Sequence, residues 1–322
     1  MLLFENVYKS YGHRQALDNF NLRIHDGAMF GLIGPNGAGK TTVITLLAGL
    51  ILPDQGTIRI DDMDAGDRIR RLRKRIGYVP AESGMIPNLK VFEYMSFFAN
   101  CYDLSGAKVY RRMQQLLDTV GLLDRGNQYV DTLSPGQQKK LSLARALLQD
   151  PKYLLLDEPL AGLDPQNSYD FRQVIANMAD SGKTIVITSH VLSDIADLCT
   201  DVGIMDKGKI VLEGEMDTVL EEVNQSNPII ISMESGMAPA VRILRDNPCV
   251  KSVSIRNREV LIGFNGTSDD ETALLRSLVE KGIPVRSFHR EKGNFEAVFM
   301  KLTGNEERRV TSYEAESDLS EG

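Results

Sequence analysis

Residues 34 to 41 read Gly-Pro-Asn-Gly-Ala-Gly-Lys-Thr and satisfy the spacing GxxxxGK[ST] in full. Each residue type in that run has a chemical reason. Gly34, Gly37 and Gly39 let successive backbone N–H groups curl around an anion, with Pro35, Asn36 and Ala38 between them. A helix opening behind such a loop aims its positive end at the same point. Lys40 brings a full charge to the β- and γ-phosphates of a nucleotide, the Thr41 hydroxyl is a hard oxygen suited to Mg²⁺, and Thr42 closes the loop. By itself this run says only that a nucleotide's phosphates are cradled.

Two further segments carry groups of the right kind. Tyr153 to Leu156 is a short apolar run delivering Asp157 and Glu158 at its end, where open α/β sheets bind ligands. The first carboxylate can hold Mg²⁺ through water, and the second can polarise an attacking water. Leu133-Ser134-Pro135-Gly136-Gln137 precedes QQKKLSLARALL. Ser134 reads as an N-cap and Pro135 as the first helical residue.

The elements that must position these groups follow from hydrophobic spacing. Alternation through Leu3, Phe4 and Val7, then Phe20, Leu22 and Ile24, predicts antiparallel strands around a turn. Met29 to Ile33 reads as a buried strand feeding the glycine loop, and TVITLLAGLI as the helix behind it. Residues 88 to about 130 are helix-patterned throughout and read as an inserted helical subdomain. The stripe in VYRRMQQLLDTVGLL suits core packing better than a membrane surface. YLLLDEP and TIVITSH, apolar strands between helices, imply a parallel sheet covered on both faces. The fold class is therefore α/β for the first domain, residues 1–223. After the polar linker NQSNP, the order βαββαβ predicts a small α+β domain of ferredoxin-like type over 224–304. The Glu- and Ser-rich residues 305–322 read as a disordered acidic tail.

Composition narrows the function classes. The 322 residues carry a formal net charge of −7, which argues against nucleic acid as a partner. Much of that charge lies in Glu306, Glu307, Glu314, Glu316, Asp318 and Glu321, so the folded body is close to neutral. Cys101, Cys199 and Cys249 are widely spaced and outside any CxxC, which fits a reducing cytoplasm without a disulfide or metal framework. The N-terminus has no basic region followed by an apolar run, so no signal peptide is expected, and no stretch of eighteen apolar residues crosses a bilayer.

Taken together, the phosphate loop, the Asp157-Glu158 pair and the Ser134 segment resemble the ABC ATPase family over roughly residues 1 to 220. The resemblance implies a cassette built of a P-loop RecA-like core, an antiparallel β subdomain and a helical subdomain, binding ATP and Mg²⁺ and hydrolysing ATP between two head-to-tail copies. It implies that Tyr11 stacks on adenine, although Tyr11 can equally be a packing residue. It further implies that Ser134, Gly136 and Gln137 reach the opposing γ-phosphate and that Asp164, in Ala161-Gly162-Leu163-Asp164, communicates across the dimer. Glu158 would be the catalytic base, His190 the switch at the γ-phosphate, and Lys40 the phosphate-binding cation. Thr41 and, through water, Asp157 would hold the metal.

Two positions depart from the family pattern. Pro135 stands where the signature has its first glycine and removes one N–H donor. Ala81 stands where a glutamine is usual after a strand like Ile76 to Pro80. Glu82 follows; either it supplies the metal contact, provided the backbone leaves strand geometry after Pro80, or it faces solvent. His13, His25 and His289 are assigned no role.

The 224–304 segment is similar to accessory domains of exporter-type cassettes whose permeases are separate chains. A regulatory or dimer-stabilising domain is favoured there over a small-molecule sensor. The implied partners are a second copy of the chain and integral membrane permease subunits, placing it on the cytoplasmic face of the membrane. The alternative is a soluble ABC ATPase of DNA repair or translation, but no heptads or CxxC lie between Lys40 and Ser134 and one chain holds one cassette.

Overall fold

The computed structural model describes residues 1–61, 63–65, 71–220, 227–256 and 259–290. The chain divides into two compact units, Met1–Met216 and Asp217–Gly322. The division lies a few residues before the sequence-based boundary at 223/224. The expected acidic tail, and the NFEAVFMKLTG run before it, lie outside the described residues.

In the first unit, β1 (Leu2–Tyr11) and β2 (Arg14–Ile24) pair antiparallel around the turn at Gly12. With β4 (Gln55–Ile60) and β5 (Met63–Asp64) they form a sheet of order β2-β1-β4-β5. Phe4, Val7, Phe20, Leu22 and Ile24 are buried as read, but Leu3 is only half-buried and Leu2, two residues before Phe4, takes the inward position on that face. Phe4 and Phe20 meet edge to face with centroids 5.2 Å apart.

The second sheet has six strands in the order β10-β9-β3-β8-β7-β6. β3 (Met29–Ile33), β6 (Ile76–Val79), β7 (Tyr153–Leu156), β8 (Thr184–Ser189) and β9 (Asp201–Asp206) run parallel, and β10 (Lys209–Glu215) closes one edge antiparallel. β3, β7 and β8 are buried at every position, as two covered faces require. Truncating a central residue such as Leu155 to Ala would cost about 2–5 kcal/mol.

α1 (Lys40–Leu47) follows β3 across the glycine loop of residues 34–39. It stops short of the expected Ile51 because Gly49, at φ 65°, turns left-handed. α2 (Val91–Cys101) and α3 (Ala107–Thr119) build the helical subdomain, closed at its base by an antiparallel bridge between Lys90 and Tyr129. The α3 stripe packs inward through Met113 and Leu117, while Arg112 donates to the Leu147 and Leu148 carbonyls at 2.7 and 2.8 Å. Those carbonyls end α4 (Pro135–Ala146), so the subdomain is tied to the helix that opens at Ser134. α5 (Pro165–Asp180) lies between β7 and β8 in the chain and is longer at its start than the Tyr169 read from the sequence.

The second unit has the order β11 (Ile229–Met233), α6 (Met237–Arg245), β12 (Val250–Arg256), β13 (Glu259–Phe264), α7 (Ser268–Glu280), β14 (Val285–Arg290). Its antiparallel sheet runs β12-β13-β11-β14. Ile229, Ile231, Val260 and Ile262 from one sheet face meet Leu244, Leu274 and Leu278 from the helices in a core of its own.

Candidate functional site

The glycine loop wraps because three of its positions admit no side chain. A Cβ on Gly34 would stand 2.3 Å from the Met205 carbonyl oxygen, and one on Gly39, at φ 110°, 2.6 Å from the Ala16 carbonyl oxygen. Gly37 has φ 85°. These are conformations and approaches open only to glycine. Lys40 is 5% exposed and its Nζ donates to the Gly34 and Pro35 carbonyls at 2.8 and 3.2 Å, so the ammonium sits inside the loop. Tyr11, Arg14, Asn36, Gly37, Thr41, Thr42 and Glu158 line an open cleft of about 400 Å³ beside it.

Three neighbouring strand ends converge there. β7 ends at Asp157, 1% exposed, and the β8 residue Thr188 donates its hydroxyl to Asp157 Oδ1 at 2.6 Å. Thr41 Oγ1 approaches the same Oδ1 at 3.4 Å. The Glu158 carboxylate lies between two partners, Lys40 Nζ at 3.4 Å and His190 Nδ1 at 2.7 Å. A carboxylate held by an imidazole beside a lysine seated in a glycine loop can orient and deprotonate a water. Glu158 itself sits at φ 45°, a left-handed backbone that only surrounding contacts make tenable for a side-chain-bearing residue. Its N–H donates to Thr188 Oγ1 at 2.9 Å.

The Ser134 segment does not line this cleft. Ser134 caps α4 as its sequence predicts: its Oγ accepts from the Gln137 N–H at 3.3 Å, and the Gln137 side chain accepts from the Ser134 N–H at 3.0 Å. Gly136 is buried against Asn167, whose side chain a Cβ would meet at 3.0 Å. Asp164 caps α5, accepting from the Asn167 N–H at 3.0 Å and the Asn167 side-chain amide at 2.6 Å. The Asn167 backbone bond holds its carboxyl below the usual range. Asn167 therefore joins the caps of α4 and α5.

Tyr11 is half exposed at the cleft mouth, with Lys9 Nζ 5.8 Å from its ring centre. The chain bends at Ala81 and Glu82 just beyond β6, and both are exposed. Strand geometry is thus abandoned where the Glu82 substitution requires it, next to β7, whose Asp157 donates its N–H to the Val79 carbonyl at 2.9 Å. His13, His25 and His289 all lie on the surface.

Three functional neighbours escaped the sequence reading. Thr188 is one residue of an apolar strand, Arg14 follows a turn, and Lys139 lies in a helix with another lysine beside it. Nothing local distinguishes them; only the pairing of β7 with β8 and the docking of α4 bring them to the site.

No group of three His, Cys, Asp or Glu among the described residues can hold a metal alone. Thr41 and Asp157 present hard oxygens on one side of the cleft, which suits an Mg²⁺ ion completed by phosphate oxygens and water.

Comparison with known proteins agrees with this geometry. A family model described as ABC transporter matches residues 17–161. The Nod factor export ATP-binding protein I of Cupriavidus metallidurans is 33% identical over 310 residues, covering 96% of this chain and 99% of that protein. The linearmycin resistance ATP-binding protein LnrL of Bacillus subtilis is 29% identical over 307 residues, covering 94% of this chain and 98% of that one. Among solved structures, the dimeric post-hydrolysis state of the ATP-binding cassette MJ0796, bound to ADP and Pi, superposes with a TM-score of 0.62 at 27% identity, covering 67% of this chain and 99% of that one.

Proposed function

We propose, from the premise that this chain belongs to the family of ABC transporter ATP-binding proteins, that two copies of it close head to tail on two ATP molecules and drive a separate membrane permease. The chain is an ATP-binding ATPase subunit. The observation carrying the mechanism is the meeting of Lys40, Asp157, Glu158 and His190 at the ends of adjacent elements, with Glu158 held between Lys40 and His190.

In this reading the loop N–H groups of residues 34 to 42 and the Lys40 ammonium bind the β- and γ-phosphates. Tyr11 stacks on adenine. Thr41 and, through water, Asp157 would hold Mg²⁺, which would neutralise phosphate charge. Glu158 takes the proton of the attacking water, and His190 orients Glu158 and contacts the γ-phosphate. The water oxygen bonds to the γ-phosphorus as the bond from that phosphorus to the β,γ-bridging oxygen breaks, so ADP leaves with the electron pair and phosphate remains. Ser134, Gly136 and Gln137 close on the ATP of the other copy, and the exposure of Ser134 at a helix start that does not line the chain's own cleft supports a site completed in trans. Asp164 links the two sites.

No helix among the described residues is long and apolar enough to cross a membrane. In this reading the permease is a separate chain, and its cytoplasmic segment docks in the groove of about 330 Å³ between core and helical subdomain, lined by Leu50, Arg73, Tyr78, Tyr102 and Arg145. Leu50 and Leu52 are 55% and 56% exposed beside it. The name of one relative, a Nod factor export ATP-binding protein, supports export rather than a role in repair or translation. The C-terminal βαββαβ unit acts as a regulatory or dimer-stabilising domain.

Mg²⁺-dependent ATPase activity in the purified chain, raised by a co-purifying integral membrane protein, is the expected result. Purification free of any membrane protein from its native membranes, with ATPase activity stimulated by nucleic acid or ribosomes instead, would overturn the transporter reading.

A further inference from the structure

We infer that Lys139 is a positioning residue for Glu158, tying the turn that carries the catalytic carboxylate to the helix that opens at Ser134. The inference rests on Glu158 being the base of the proposed reaction.

Lys139 is buried, 9% exposed, on the inner side of α4. Its Nζ donates to the Glu158 carbonyl at 3.1 Å and to the Ala161 carbonyl at 2.6 Å. Among the described residues no carboxylate lies within ion-pair distance of it. An ammonium taken out of water without a counter-ion is costly, and burial pushes this one below the usual lysine range, the Glu158 charge partly opposing. An apolar side chain would fill the same space at less cost. What the charge adds is a grip on two carbonyls of a single turn.

That turn needs a grip. Glu158 has φ 45°, and a side-chain-bearing residue in that region stores about 1–3 kcal/mol unless its neighbours over-determine it. Its N–H is held by Thr188 and its C=O by Lys139, so both peptide groups flanking the carboxylate are clamped, one from β8 and one from α4. Thr188 belongs to the sheet and does not move with the helix. Lys139 does, and it sits about 7.5 Å along the axis from Ser134.

The arrangement has a consequence for a head-to-tail dimer. Ser134 meets the ATP of the other copy, whereas Glu158 serves the ATP in its own cleft. A shift of α4 on ATP contact is passed by Lys139 to the backbone of Glu158 and to Ala161, which begins the segment leading to Asp164. Occupation of one site thereby aligns the base of the other, which makes hydrolysis cooperative in ATP.

The test compares Lys139→Met, which keeps the stem and removes the charge, with Lys139→Arg, which keeps both. Lys139→Met is expected to retain ATP affinity within about twofold while kcat falls at least tenfold, as small misplacement of a catalytic group produces. The Hill coefficient for ATP should fall toward one, and Lys139→Arg should recover both quantities. Amide exchange across 157–163 should rise in Lys139→Met while that across 34–42 stays unchanged. This last readout does not depend on the role of Glu158. Unchanged exchange at 157–163, wild-type kcat in Lys139→Met, or equal loss in both variants would overturn the inference. Raised exchange with undiminished kcat would instead show that Lys139 holds the turn but that Glu158 is not the base, and the positioning role would fall with it.

Discussion

His190 Nδ1 stands 2.7 Å from Glu158 Oε2, while the other oxygen of the same carboxylate faces Lys40 Nζ at 3.4 Å. One carboxylate thus joins the end of β8 to the phosphate loop, and each partner leaves a different signature when removed.

Glu158→Gln keeps the shape and removes the base. Hydrolysis should slow by about 10²- to 10⁴-fold with ATP binding intact, and the ATP-bound dimer should persist. ATPase assays and light scattering check this; a variant that stays monomeric with ATP and Mg²⁺ contradicts the sandwich. His190→Ala should also lower kcat, and in the Glu158→Gln background it should add little because the two act as a unit.

Lys40→Ala should act on binding rather than on chemistry. The ammonium is buried within the loop and donates to two of its carbonyls, so its loss removes a phosphate contact and loosens the cradle. Nucleotide affinity measured by calorimetry should fall at least tenfold, and an unchanged affinity would refute the loop's assignment.

Arg14 provides a test of the cleft that the motifs do not. Its guanidinium reaches the Gly37 carbonyl at 3.3 Å and has no ion-pair partner among the described residues, while lining the nucleotide cleft. Arg14→Ala should weaken ATP and ADP by similar factors, about three- to tenfold, as an exposed charge–phosphate contact does. The effect should shrink as salt rises. Equal affinities for variant and wild type at low salt would rule this contact out.

Glu82 and Ala81 decide how the departure after β6 is tolerated. If Glu82 replaces the usual glutamine at the metal, Glu82→Ala should raise the Mg²⁺ concentration needed for half-maximal ATPase, and Ala81→Gln should restore it. Mg²⁺ dependence and permease stimulation that stay untouched in Glu82→Ala would leave Glu82 a solvent-facing residue.

Acid stability follows from a network at the opposite end of the sheet. Burial acts to raise the Asp61 carboxyl, but hydrogen bonds from Lys152, Tyr153 and Arg75 outweigh it and hold it well below the usual carboxylate range. Asp26 is likewise held down at about 2, burial being outweighed by bonds from Lys152, the N-terminal ammonium and Tyr153. Because the folded values lie below the unfolded ones, this stability is complete above the unfolded pKa of about 4 and is lost as pH falls toward 2. Thermal melts should show Asp61→Asn less stable than wild type by about 1–3 kcal/mol at neutral pH. The gap should narrow steadily as pH falls below about 4 and still be narrowing at pH 2, because the Asp61 carboxyl is held lower than that of Asp26; a constant gap would refute the assignment.

The sequence by itself determined what depends on local chemistry. The phosphate loop was legible because only glycine fits the backbone at Gly37 and Gly39, and the parallel core because strands covered on both faces are predominantly apolar runs rather than alternating ones. The caps at Ser134 and, less directly, the carboxylates after Leu156 were readable from residue type and spacing. Tertiary structure alone decided which distant groups share the site. Thr188 reaches Asp157 through strand pairing, Arg14 reaches Gly37 because the first sheet lies against the loop, and Lys139 reaches Glu158 because α4 docks beside the β7 turn. Such contacts join residues 23 to 31 or 19 positions apart. Their energy comes from one buried geometry that no periodicity encodes, and the left-handed turn at Glu158 is held by those contacts rather than by the preference of glutamate for it.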